Sequence, residues 1–60
     1  MADLTTKELD ALTDQLNYER MMAGKYAEAQ SGCQGELRAT YDRYARQHRD
    51  NYQSLLNFLK

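Results

Sequence analysis

Glu19 and His48 are the residues of this chain whose types and placement can do chemistry. Glu19 falls on a helical seam, Leu9, Leu12, Leu16, Glu19, Ala23, Tyr26, which keeps a strict 3-4-3-4-3 spacing. His48 falls on a second seam, Leu37, Tyr41, Tyr44, His48, Tyr52, Leu55. Positions three and four apart share a helix face, so both side chains are aimed at one apolar interior. A carboxylate without partners is costly there, which leaves two chemistries. One is a structural hydrogen-bonded pair. The other is a metal site, built in helical bundles from a Glu on one helix and a Glu-x-x-His on the next, because positions three apart point at the same ion. Glu19 takes the lone-Glu role and His48 the histidine role, but the position three before His48 is Ala45, which cannot ligate. A symmetric dimer would supply two Glu and two His, enough for one weakly held iron, manganese or zinc ion. The structural pair is the preferred reading, with Glu19 and His48 kept as metal candidates only and no cofactor expected.

Other groups read more plainly. Tyr18, Tyr26, Tyr41, Tyr44 and Tyr52 recur at helical spacing, which means packing before it means redox or stacking chemistry. Arg38, Arg43, Arg46 and Arg49 are interspersed with Asp42 and Asp50 over a broad arc. Solvated or intra-bundle ion pairs explain them better than a nucleic-acid face. Met21 and Met22 point different ways, Met22 inward and Met21 outward. Cys33 lies in a turn and His48 about halfway along a helix, so no nucleophile–base arrangement exists and no enzymatic activity is expected.

The elements that must position Glu19 and His48 are two long helices. No proline interrupts the chain. Thr5-Thr6-Lys7-Glu8 reads as a capping box that starts helix 1. A second apolar set, Leu4, Ala11, Tyr18, Met22 and Ala29, flanks the first seam and makes the apolar arc of helix 1 wide enough for two neighbours. Gly24 falls on the polar side as a tolerated weak point. Ser31-Gly32-Cys33-Gln34-Gly35 is the turn, with Gly32 expected to close helix 1 in a left-handed conformation and Ser31 or Cys33 to cap helix 2. The expectation is one all-α domain over 1–60: helix 1 near 5–31, a turn near 32–33 and helix 2 near 34–59. A connection this short makes the helices antiparallel neighbours.

Size and charge bound the rest. Sixty residues are too few for a large catalytic cleft. Such chains seldom reach adequate stability without disulfides, metal or association. The single Cys33 cannot form a disulfide within the chain, so a homodimeric four-helix bundle is expected. Net charge is −1, with −3 on residues 1–30 and +2 on 31–60. Opposite signs favour the halves packing together, and the balance gives no reason to expect nucleic acid or an anionic membrane as partner. The start, Met1-Ala2-Asp3-Leu4, lacks signal-peptide features, and no apolar run approaches a membrane span. Cysteine use fits a reduced cytoplasmic thiol, or alternatively an intermolecular cross-link.

Taken together, Leu4-Thr5-Thr6-Lys7-Glu8-Leu9, Leu16-Asn17-Tyr18-Glu19, the Cys33 turn followed by Leu37-Arg38, and His48 resemble the Coat F type spore coat proteins of endospore-forming Firmicutes, a small ferritin-like helical group. The resemblance spans nearly the whole chain. Family members often keep Glu-x-x-His in the second helix, where this chain has Ala45. It implies a ferritin-like half, a structural role in the spore coat or in a small cytoplasmic relative of one, and other coat proteins as partners. No small-molecule substrate is implied. The alternatives are a metal-binding protein using Glu19 and His48, or a helical adaptor that binds a partner helix.

Overall fold

The computed structural model describes residues 3–60, so the reading of Met1 and Ala2 lies outside the described residues. The chain forms α1 over Thr6–Ser31 and α2 over Gly35–Leu56, followed by a 3₁₀ turn over Asn57–Leu59. The two helices pack against each other along their length as an antiparallel hairpin 45 Å long, and the described residues contain no strand.

α1 starts where the sequence says it should. Thr5 is the N-cap, its hydroxyl accepting the Glu8 N–H at 3.1 Å. The Thr5 N–H and hydroxyl each donate back to Glu8 Oε1 at 3.0 Å. Those two donors hold the Glu8 carboxyl below its ordinary range, the backbone donor most. The reciprocal bonds satisfy helix-end groups that have no partner within the helix.

The connection departs from expectation in two ways. Gly32 is not left-handed: it sits at φ −96°, ψ 4°. The chain leaves α1 through tight bonds, Gly32 N–H to Ala29 O at 3.2 Å and Cys33 N–H to Gln30 O at 3.1 Å, which satisfy the last carbonyls without a left-handed residue. The reversal falls three residues later, on Gly35 at φ +65°. Neither Ser31 nor Cys33 caps α2. The Ser31 hydroxyl donates to Glu28 O and Cys33 Sγ to Ala29 O, both finishing α1, while Gln34 stands at the start of α2 without a side-chain cap.

The two glycines that matter therefore predict opposite outcomes. A methyl at Gly24 meets nothing within 4 Å, so Gly24→Ala should stabilise the protein by about 1 kcal/mol through helix propensity. Gly35→Ala forces a β-carbon into the left-handed region and should cost roughly 1–2 kcal/mol. Thermal melts at equal protein concentration should shift in opposite directions. Equal shifts of one sign would contradict this backbone assignment.

Little of the hairpin is truly interior. The α2 seam runs through Tyr41, Ala45, His48, Tyr52 and Leu55, while Leu37 and Tyr44, expected on it, stay exposed. Leu9 of the α1 seam is exposed as well. Two helices bury one strip each, and residues at the strip's edges keep contact with water. Ala45 is 1% exposed and Glu19 5%. The residue standing where a metal-binding bundle would carry a second Glu is thus the most enclosed position of the hairpin. No helix among the described residues is long and apolar enough to cross a membrane.

Candidate functional site

Glu19 stands midway along α1, thirteen residues from Thr6 and twelve from Ser31. The antiparallel pairing sets His48 opposite it on α2. His48 Nδ1 lies 2.5 Å from Glu19 Oε1. An ionised carboxylate can only accept, so the proton sits on the Nδ1 side and the ring is held in one orientation. Asn51 Nδ2 donates to the same oxygen at 3.4 Å, and Gln15 Nε2 donates to Oε2 at 2.7 Å. Both oxygens of a nearly buried carboxylate are therefore used.

The electrostatics follow from those bonds. The His48 donor holds the Glu19 carboxyl below its ordinary value, aided by Gln15 and Asn51, while burial pushes it the other way and loses. Aromatic rings enclose the imidazole. Tyr26 stacks on it at 5.9 Å between centroids and 10° between planes, and Tyr18 makes a T-shaped contact with it at 6.0 Å and 83°. Tyr26 in turn stacks on Tyr41 at 5.5 Å and meets Tyr44 edge-on at 5.3 Å. Offset and edge-on ring pairs of this kind add to the stabilisation from burial alone.

The structure thus brings Glu19 and His48 together, as the seams predict. Sequence reasoning missed Gln15 and Asn51. A spacing signal was available: Gln15 precedes Glu19 by four residues and Asn51 follows His48 by three, which places each beside its neighbour on the same helix face. Charge asymmetry between the halves matters less than expected. Among the described residues the Arg46–Asp42 ion pair lies within α2 at 2.9 Å, and Glu19 meets His48 across the helices through a hydrogen bond. Asp42 also accepts from Gln30 Nε2 of α1 at 3.2 Å, so its contact with the first helix is with an amide.

No family model matches this chain, and neither a curated protein nor a solved structure does.

The Glu19–His48 contact also governs which donors a metal ion would find. Glu19 and His48 face each other, and His48 spends Nδ1 on the carboxylate, leaving Nε2 as the nitrogen open to another ligand. Among the described residues no group of three or more His, Cys, Asp or Glu side chains is placed to hold one ion. Every buried side-chain nitrogen or oxygen among them already has a hydrogen-bond partner. Cys33, at the turn end of the hairpin and fourteen residues beyond Glu19, is roughly 20 Å away at 1.5 Å per residue. It supplies no thiol to the imidazole. The arrangement is well suited to fixing the register of two helices through one satisfied polar cluster.

Proposed function

We propose that the chain is a structural subunit of spore-coat type that works by helical packing and self-association, as half of a ferritin-like four-helix bundle, and catalyses no reaction. The observation carrying this reading is how little the hairpin covers by itself. Leu9, Tyr18, Met21, Leu37, Tyr44, Phe58 and Leu59 all remain exposed on a 60-residue protein. A chain this small gains stability by burying such side chains against another chain. The seams and polar positions that resemble Coat F proteins give that assembly a place, the coat of a developing spore.

Two measurements test it. Light scattering on the purified protein should give a mass near twice 7.0 kDa. In the producing organism the protein should be made during sporulation and be extracted with the coat fraction. A stable monomer, or constant synthesis in vegetative cells, counts against the reading.

A second reading is metal binding, and the orientation of His48 favours it. Metal-ligating histidines commonly donate one ring nitrogen to a carboxylate and bind through the other. Glu19 would then orient the ligand, and an association of two chains would be needed to gather enough donors. Iron, manganese or zinc in stoichiometric amount, in protein purified without chelators or a histidine tag and absent from His48→Ala, would make this the better reading.

A further inference from the structure

The exposed apolar side chains are not scattered: most share one long face of the hairpin. On α1, Ala11 and Tyr18 stand seven residues apart, with Met22 and Ala29 beside them. On α2, Leu37, Tyr44 and Asn51 recur every seven residues, and Phe58 continues the interval into the 3₁₀ turn. Seven residues make nearly two whole turns, so each set keeps one stripe. Tyr18 and Tyr44 show that the two stripes lie on the same side. Tyr18 makes a T-shaped contact with His48, and Tyr44 makes one with Tyr26, whose ring stacks on His48. Tyr18, Leu37, Tyr44 and Phe58 are each 41 to 54% exposed. The opposite side carries Thr13 and Arg20 of α1 with Asp42, Arg46, Arg49 and Gln53 of α2, and Leu9 is its large apolar residue. Met21 points away from both helix–helix flanks and is 62% exposed.

We infer that the face bearing Tyr18, Leu37, Tyr44 and Phe58 is where a second copy of this chain docks. The inference rests on the self-association proposed above and adds which surface performs it. Surface area argues for a partner of this size. The hairpin exposes 4735 Å², whereas a compact monomer of its mass exposes roughly 4,000 Å². The excess, roughly 700 Å², is close to the ~800 Å² that each partner buries in a standard interface. The spacing argues for a helical partner of the same kind, since apolar residues repeating every seven are what one helix presents to another in bundle packing. Asn51 interrupts the α2 stripe, its amide turned into the hairpin toward Glu19 Oε1 at 3.4 Å. A net charge of −1 per chain adds little repulsion between copies.

Hydroxyl-radical footprinting of the unmodified protein tests this without depending on a variant that folds. Samples are compared above and below the dissociation concentration found by sedimentation. Oxidation of Tyr18, Tyr44 and Phe58 should slow severalfold in the concentrated sample, while Met21 reacts at the same rate in both. Protection of Met21 or Leu9 with Tyr18 and Tyr44 unchanged would overturn the face assignment and leave self-association standing. A monomer at every concentration would overturn both. Leu37→Arg and Met21→Arg give the matching pair: the first should lower association at least tenfold and the second leave it unchanged, and the reverse result refutes the face.

Discussion

Ala45→Glu is expected to leave little folded protein. The substitution creates a Glu-x-x-His pattern in α2, so from the sequence alone it looks like the completion of a metal site. The hairpin says otherwise. Ala45 is 1% exposed, and a carboxylate with a two-carbon stem has no room between the helices there. Overpacking of a tight contact costs typically about 1–3 kcal/mol. Burying an unpartnered polar group adds about 1–3 kcal/mol more. A second carboxylate close to Glu19 would also repel it. The combined loss approaches the whole stability of a small domain. Circular dichroism at pH 7 should show most of the helix lost, with or without added zinc or manganese. A well-folded Ala45→Glu protein that gains a metal ion would show that the helices have more space than this packing implies. Ala45→Ser, nearly the same size, should stay folded and cost far less.

The helices were legible in the sequence because each is specified several times over. The Thr5–Glu8 capping box, uninterrupted periodicity and the absence of proline all agree on α1, and the structure places its first residue one position after the cap. Pairing of Glu19 with His48 was legible for the same reason, since antiparallel seams of similar length bring their midpoints together. The turn was less legible. Two glycines three residues apart can each supply a left-handed residue, and which one does so depends on how the last carbonyls of α1 are satisfied. The α2 seam misled for a related reason. Leu37 and Tyr44 have the hydrophobicity of core positions and Ala45 does not stand out, yet close approach of two helices selects the small residue for the centre of the contact. Size at the contact, which a hydrophobic pattern does not weigh, decided the phase.

Glu19→Leu and His48→Leu should behave very differently alone and together. With Glu19 replaced, the ring nitrogen of His48 loses its acceptor, and Gln15 and Asn51 lose theirs. Leaving such groups unpaired should cost about 2 kcal/mol or more, tempered because His48 keeps some access to water. His48→Leu alone strands the carboxylate, which is the worse-solvated partner, and should cost at least as much. The double variant removes both needs and offers two apolar side chains to the same interior, so its stability should fall within about 1 kcal/mol of the parent or exceed it. Urea unfolding at pH 7 and fixed protein concentration measures all four proteins, because association contributes to stability. The sign with pH is a second readout. Glu19 has a carboxyl held below its ordinary value in the folded state, so its contribution is fully present above that value. It is lost as the pH falls through the depressed value. Acidification should therefore cost the parent more than the double variant, moving the comparison in favour of the leucine pair. Additive single-variant losses, with the double variant the least stable of the four, would mean that Glu19 and His48 act separately and that the polar cluster does not set the register of the hairpin.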